Sequence, residues 1–521
     1  MRGARPQLPR WVDLALIPLA NVVLAFLAAG LIVLEIGENP LAAVRVMLGG
    51  ALGDSEGIGY TLYYATNFIF TGLAVAVAFH AGLFNIGGEG QAALGGLGVG
   101  LVLLAGDRHL PFAALLPLAL LAGMSFGAAW ALVPAWLQAY RGSHIVITTI
   151  MFNFLAAALM VYLMVNVLIA PGSMSPESRE FGAAAYLPQI HEVLAPLGVK
   201  LTATPLNLSV VLAAVLCVLV WLLLWHTPFG FELRAAGLSA TAAVYAGVRP
   251  RRIIIISMCL SGAIAGCVGL NEIMGVHHRL LLNFTAGYGF TGIAVALMGR
   301  NHPLGIVLAS LLFGILTQGG TELAFAMPTI TRDMIVVIQG LVILFPARCR
   351  SSAGPGSNGS SPRCPAGGRH CGAPEVEDTL VMVVLILSAT LRVATPLILG
   401  ALAGLFSERS GIIDIGLEGK MLASAFAAAT VAVLCNSAWI ALAAGIAAAG
   451  AFALVHGYAC ITQRGNQVVS GLAFNILAVG LTVALGNAWF HRHRASRRRS
   501  RSRPGDRQKL VLNCVETRYF V

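Results

Sequence analysis

Runs of about 20 mostly apolar residues, each long enough to cross the hydrocarbon core of a bilayer as a helix, recur along this sequence. The clearest are Leu14 to Leu34, Phe112 to Leu137, Ile145 to Ile169, Leu208 to Trp225, Ile253 to Leu270 and Ala438 to Leu454. The chain is 58% hydrophobic and 11% charged, against about 25% charged in an average soluble domain, which excludes a soluble enzyme of ordinary composition. The expected fold is all-α: a polytopic transmembrane helical bundle with about ten helices in a first unit and a partial second unit after it. The first apolar run follows Arg2, Arg5 and Arg10, is too long for a signal-peptide core and lacks a clean small-x-small cleavage site, so it reads as an uncleaved helix. Counting Lys and Arg by loop puts Arg141, Arg234, Arg249, Arg251, Arg252 and Arg300 on the same side as the N-terminus. Arg45, Arg108, Arg179, Lys200, Arg279 and Arg332 fall on the other side, and the bias places the N-terminus inside.

The net charge of +11 comes mostly from one place. Between His491 and Val521 there are ten Lys or Arg and two Asp or Glu, which leaves +3 for everything before it. The basic balance therefore describes a tail and says little about partners of the main body. The nine cysteines form no Cys-x-x-Cys pair, and Cys217, Cys259, Cys267, Cys435 and Cys460 lie in apolar runs, where they read as small core residues.

The most informative pattern is an internal repeat. Ala81-Gly-Leu-Phe-Asn-Ile-Gly-Gly-Glu-Gly90 is echoed by Ser410-Gly-Ile-Ile-Asp-Ile-Gly-Leu-Glu-Gly419, and Val146-Ile-Thr-Thr-Ile-Met-Phe-Asn-Phe-Leu-Ala156 by Val468-Val-Ser-Gly-Leu-Ala-Phe-Asn-Ile-Leu-Ala478. The offsets, 329 and 322 residues, keep the order and the approximate spacing. Four segments follow: a complete unit over 1–346, a Gly/Ser/Pro/Arg-rich stretch over 347–379, a truncated second unit over 380–490, and a basic tail over 491–521. Two readings of the stretch and the tail stay open. One is a flexible linker and a juxtamembrane tail; the other is out-of-frame translation joining two adjacent genes, since both segments change composition abruptly from apolar flanks.

Chemistry-bearing residues sit where the apolar runs break. Phe84-Asn-Ile-Gly-Gly-Glu-Gly90 places Asn85 and Glu89 among glycines at the edge of an apolar run, with Gln91 next in line. Broken helices in membrane proteins expose groups that bind substrates. A carboxylate in the bilayer costs about 2.5 to 3.5 kcal/mol on insertion scales, so Glu89 and Glu418 need partners or water; the bland alternative is that each caps a helix start or sits in an ordinary turn at the membrane surface. Asn153 and Asn475 lie in apolar helices at matching repeat positions and act either as glue between helices or as pathway groups. Asp414 completes the candidate pathway set. His80 and His144 have the chemistry of proton carriers, or of satisfied interfacial histidines. From Thr227 to Pro250 the sequence suits a short helix, with turns at Gly230, Gly237 and Gly247, and with Glu232 and Arg234 on it. It is either a docking element for a cytoplasmic partner or a solvated loop.

No Gly-x-x-x-x-Gly-Lys-[Ser/Thr] occurs, so the chain has no Walker loop for ATP. No metal-ligand spacing, cofactor motif or nucleophile-base pair is present, and neither a metal, a cofactor, a nucleic-acid role nor an enzymatic role is expected.

These residues carry a likeness. The Phe84–Gln91 box, the helix from His144 to Asn153, the Thr227 to Val248 loop and Gly287-Tyr-Gly-Phe-Thr-Gly-Ile-Ala-Val-Ala-Leu-Met-Gly299 resemble a permease subunit of bacterial ATP-binding-cassette importers for nucleosides and simple sugars. Ala394 to Gly411 and Ile413 to Lys420 resemble the partner permease encoded beside it. The resemblance implies an inner-membrane, multi-pass permease with a cytoplasmic N-terminus, working with a cytoplasmic ABC ATPase, an extracytoplasmic substrate-binding protein, a second permease subunit and membrane lipid. It also implies that Gly230, Glu232, Arg234, Gly237 and Gly247 form the ATPase-docking loop. Ile145 stands where the family often has Glu, and the second unit is expected to leave one ATPase site unengaged. The rival reading is an ion-coupled secondary transporter, for which Glu89, Glu418 or Asp414 would be the coupling carboxylate.

Overall fold

The structure, a computed structural model, describes residues 17–327 apart from 171 and 199–201, the isolated positions 330, 336 and 338–341, and residues 399–499 apart from 401, 408, 411–413, 436, 464 and 466. The stretch at 347–379 and the tail beyond 499 lie outside the described residues. The helices are α1 (Ile17–Ile36), α2 (Pro40–Leu52), α3 (Ser55–His80), α4 (Gly88–Gly106), α5 (Phe112–Trp136), α6 (Ile145–Asn166), α7 (Ile190–Leu194), α8 (Ser209–His226), α9 (Pro228–Leu238), α10 (Ala240–Tyr245), α11 (Pro250–Gly266), α12 (Tyr288–Met298) and α13 (Pro303–Ala326). After the gap come α14 (Leu417–Cys435), α15 (Ala438–Gly457) and α16 (Gln467–Arg499). Among the described residues nine helical stretches are long and apolar enough to cross a membrane. The fold is an all-α polytopic bundle, as the apolar runs require.

Local sequence sets several of the helix starts. Asn39 caps α2, its Oδ1 accepting from Leu41 N at 3.0 Å and Ala42 N at 3.4 Å, with Pro40 next. Thr227 caps α9 the same way, its Oγ1 accepting from Gly230 N at 3.0 Å, and Ser239 caps α10 through Ala242 N at 3.3 Å. The Thr227–Pro250 loop is thus two short helices rather than one. Gly230 and Gly237 are inside α9 and are not turns; only Gly247, at φ +84°, occupies one. Their smallness serves close approach instead: a Cβ on Gly230 would collide with the Leu223 carbonyl, and one on Gly237 with the His80 carbonyl.

The helical repeat extends to irregular backbone. In both units the second helix after the glycine-rich break runs into a π turn, Leu137–Arg141 after α5 and Tyr458–Thr462 after α15, before the helix that carries the paired Asn begins. α16 continues to Arg499, so no helix end coincides with His491. Cys435 is exposed at the last turn of α14, whereas Cys267 and Cys460 are buried and Cys217 and Cys259 half-buried, all as free thiols. The exposed Cys435 departs from the core reading because it stands at a helix end.

α3 is the hub, buried along most of its length and packed on α2, α8, α11, α12 and α13. Lipid provides no hydrophobic force to drive helices together, so contact depends on close backbone approach. Small residues supply it where α4, α5 and α11 meet. A Cβ on Gly262 would collide with the Gly127 carbonyl, on Gly266 with the Gly123 carbonyl, and on Gly95 with Gly266 Cα. At the opposite end from α9, a clasp ties the connection after α6 to the end of α4. Arg179 forks onto both carboxylate oxygens of Asp107 at 2.7 and 2.9 Å and reaches the Leu104 carbonyl at 2.7 Å, while Gly182 N donates to Asp107 at 2.8 Å. The hydrogen bonds from Arg179 hold the Asp107 carboxyl down at about 2, outweighing a burial that would raise it.

Gly266→Val should lower the stability of the full chain by about 3 kcal/mol through overpacking, read as loss of folded, monodisperse protein in detergent. Because the Asp107 value is depressed in the fold, its stabilisation is fully present above about pH 4 and lost as pH falls toward 2. Asp107→Asn should flatten that segment of a stability-against-pH profile and lower stability at neutral pH.

Candidate functional site

Residues 81–87 leave the end of α3 and run back into the bundle before α4 starts. α3 and α11 fix how deep they go. Asn85 Nδ2 donates to Ser261 Oγ at 2.9 Å, and Ser261 Oγ donates in turn to the Ala74 carbonyl at 2.6 Å. Ser261 stands eleven residues along α11, which is about 16 Å at 1.5 Å per residue, or roughly half the hydrocarbon thickness. An extended segment at that depth has unpaired backbone groups, each costing several kcal/mol in lipid. Side chains satisfy them. Asn153, on α6, accepts from Gly90 N at 2.9 Å and donates to the Ile86 carbonyl at 3.0 Å. Asn85 Oδ1 accepts from Gly87 N at 2.9 Å, and Asn85 and Gln91 exchange amide hydrogen bonds at 2.8 and 3.2 Å. Asn85 and Gln91 are both 1% exposed, so this pair is internal framework.

The second unit builds the same latch. Asn475 accepts from Gly419 N at 2.8 Å and donates to the Ile415 carbonyl at 3.0 Å, and Asp414 Oδ1 accepts from Gly416 N at 3.0 Å. A Cβ on Gly90 would press on Asn153, and one on Gly419 on Asn475. Where the first unit has the Asn85–Gln91 amide pair, the second has an Asp414–Lys420 ion pair. His456 of α15 joins it, with Nδ1 3.0 Å from Lys420 Nζ and 3.3 Å from Asp414 Oδ1. Lys420 and His456 are buried. Charge replaces amide at one place in one lattice, and the charges are mutually compensated, as buried ions must be.

Glu89 and Glu418 differ. Glu89 Oε1 accepts from Thr285 Oγ1 at 2.5 Å and Gly287 N at 3.0 Å, and its Oε2 from Gly289 N at 2.7 Å. Gly287 is the N-cap of α12, an eleven-residue half-helix, Gly289 lies in its first turn, and Thr285 precedes the cap. A carboxylate there meets unpaired N–H groups and the positive end of the helix dipole. Glu89 therefore caps a helix start, though not that of its own helix. Glu418 is exposed and makes no hydrogen bond among the described residues.

A second buried polar group lies nearer the end opposite α9 and has no counterpart among the sequence candidates. Glu272, 2% exposed, accepts from Tyr63 Oη at 2.6 Å and Asn67 Nδ2 at 2.5 Å, and its other oxygen lies 3.3 Å from His277 Nε2. The chain of bonds continues from Asn67 through Asn271 to Asn207 and Ser209. Glu272 and His277 belong to a π-helical segment, Leu270–His277, that prolongs α11; π segments concentrate at functional sites. Asn271-Glu272 inside an otherwise apolar stretch was the available signal, and reading the apolar run as ending at Leu270 hid it.

At the α9 end, Trp225 gathers His80 at 5.4 Å, His302 at 5.0 Å and the Arg234 guanidinium at 6.0 Å between centres, which joins α3, α8, α9 and α13. His80 Nδ1 is 2.8 Å from the Ala76 carbonyl, the satisfied interfacial role. Phe231, Leu238 and Tyr245 on α9 and α10 are 66%, 90% and 90% exposed, an apolar patch on an otherwise tethered element. Glu232 is half-buried on α9. Among the described residues no group of three His, Cys, Asp or Glu is placed to hold a metal ion.

The family model described as "Branched-chain amino acid transport system / permease component" matches residues 57–347 and again 386–507. The glucose ABC transporter permease protein TsgB13 of Haloferax volcanii is 35% identical over 344 residues, 66% of this chain and 89% of that protein. The guanosine ABC transporter permease protein NupP of Bacillus subtilis is 34% identical over 335 residues, 64% of this chain and 92% of that protein. A second Bacillus subtilis protein, the guanosine ABC transporter permease protein NupQ, is 44% identical over 116 residues, 20% of this chain and 35% of that protein. No solved structure matches the chain.

The latches make a paired prediction. Asn153→Ala and Asn475→Ala each strand one buried N–H and one carbonyl, and each should lower stability by about 2–3 kcal/mol, measured as denaturant midpoints in detergent. Glu89→Ala, which uncaps α12, should cost more than Glu418→Ala, which removes no described contact.

Proposed function

The chain belongs to the branched-chain amino acid transport system permease component family and is a permease of an ATP-binding-cassette importer; on that premise we propose that it carries nucleosides or simple sugars into the cell. The relatives named for guanosine and glucose support this substrate class. The latched break in a transmembrane helix, built twice with the same atoms, carries the reading: it is the device that opens polar groups at mid-membrane depth in transporters. In this reading Asn85, Gln91, Asn153, Asp414 and Asn475 hold the broken backbone from behind, and Glu89 and Glu418 stand in the first turns of α4 and α14 beside the pathway between the two units. The organisation is a first unit over 1–346 joined through 347–379 to a second over 380–490, with a basic segment after it.

The chain has no Walker loop, so ATP is hydrolysed by a separate cytoplasmic subunit, and substrate is delivered by an extracytoplasmic binding protein. The N-terminus and α9 face the cytoplasm of a multi-pass protein in the cell membrane. Gly230, Glu232, Arg234, Gly237 and Gly247 shape the docking element, and the exposed Phe231, Leu238 and Tyr245 supply its apolar contact. Gly237 packs against the His80 carbonyl, so a push on α9 reaches the end of α3 and the start of the broken segment. ATP-driven movement of α9 thereby acts on residues 81–87 without any long-range relay.

In proteoliposomes with its ATPase and binding protein, the full chain should take up radiolabelled guanosine or glucose in a way that stops on ATP depletion and survives an uncoupler. Uptake with the reverse dependence would establish the ion-coupled alternative. Leu238→Asp with Tyr245→Asp should reduce ATPase copurification and stimulation at least tenfold while leaving the thermal stability of the chain unchanged.

A further inference from the structure

Residues 278–287 connect the π end of α11 to the start of α12, and they descend from the extracytoplasmic face to the depth of Glu89. Of the five non-glycine residues with left-handed φ among the described residues, three lie in this stretch: His278 at +52°, Asn283 at +56° and Ala286 at +44°. Such backbone is disfavoured for residues with a Cβ and persists only where surrounding contacts impose it. Contacts do impose it, at both ends.

The upper end is held by the connection after α6. Ser178 N donates to the Leu280 carbonyl at 3.0 Å, and Leu280 N to Ser178 Oγ at 2.9 Å. Phe181 N donates to the His278 carbonyl at 2.9 Å. Glu177 and Leu281 face each other as an antiparallel bridge, Arg279 pairs with Glu177 at 3.4 Å, and the His278 ring stacks on Tyr186 at 3.7 Å. The lower end is the Glu89 clamp on Thr285, Gly287 and Gly289. Between them Phe284 is buried against α4, in a niche that exists because residue 96 is glycine; a Cβ there would collide with the Phe284 ring.

We propose that residues 278–287 are a strained strap that gates the extracytoplasmic entrance of the pathway. Release of the upper clamp lets the left-handed residues relax, withdraws Phe284 from its niche on α4, and draws the Thr285, Gly287 and Gly289 donors away from Glu89. The strap joins its two clamps through this strained backbone, so they open together. The gate role rests on the import reading above, whereas the coupled motion does not.

Glu177→Cys with Leu281→Cys places two thiols at an antiparallel bridge, a separation that suits a disulfide. In the full chain in lipid nanodiscs, oxidation of this variant should slow hydrogen–deuterium exchange at Gly287 and Gly289 at least tenfold, and reduction should reverse it. The unsubstituted chain under the same oxidant should show no change. Exchange at these glycines that ignores the disulfide would falsify the strap. Ser178→Ala, which weakens the upper clamp without new thiols, should speed exchange at the same two amides at least threefold, and no acceleration there equally overturns coupled motion. In proteoliposomes the oxidised double-cysteine variant should lose at least tenfold in guanosine or glucose uptake and regain it on reduction. Coupled exchange with equal uptake in both redox forms overturns the gate. An unsubstituted chain that transports neither compound counts against the import reading, and the exchange result still decides the strap.

Discussion

A backbone N–H or carbonyl inside lipid has no water to turn to, and this requirement governs the broken backbone that the described helices carry into the bundle. Among the described residues of the first unit two segments break the rule of continuous helix, 81–87 from the α9 side and 278–287 from the other, and the second unit repeats the first of them before α14. They are viable because side chains pair the groups they expose. Asn153 takes both an N–H and a carbonyl with one amide, and Glu89 takes two N–H groups and a hydroxyl with one carboxylate. A single such residue can keep a helix broken at a depth where the unbroken form would be the default.

The same economy explains why the repeat is strict in some positions and free in others. Asn153 and Asn475 make identical bonds because the geometry of the break leaves one N–H and one carbonyl facing one amide-sized space. Behind the break, Asn85–Gln91 and Asp414–Lys420 differ in charge because the space asks only that two groups satisfy each other. His456 then occupies the second unit's cluster where Ser261 closes the first. Glu89 binds the start of α12 while Glu418 stays exposed, so identical residues in matching sequence positions reach different ends once the surrounding helices differ.

Glu89 also ties the two broken segments of the first unit together. It lies in the first turn of α4, directly after residues 81–87, and its carboxylate holds Thr285, Gly287 and Gly289 at the end of residues 278–287 and the start of α12. One set of hydrogen bonds at this carboxylate joins the two segments.

The sequence by itself determined the membrane class, the helix content, the two-unit repeat and the positions of the breaks, because these are encoded locally: in runs of apolar residues, in glycine clusters, and in capping residues such as Asn39 and Thr227. It also singled out Asn153 and Asn475 by their repetition. Tertiary structure decided what those residues touch. Glu89 meets donors about 200 positions away in the chain, Glu272 pairs with Tyr63 and Asn67 from α3, and Arg179 finds Asp107 across two helices. Glycine roles divided in the same way. Gly247 is a turn, as its local sequence suggested, but Gly230 and Gly237 are small because other backbone lies against them. A residue's type fixes which bonds it can make; only the packing of distant helices fixes which partner lies within about 3 Å of it.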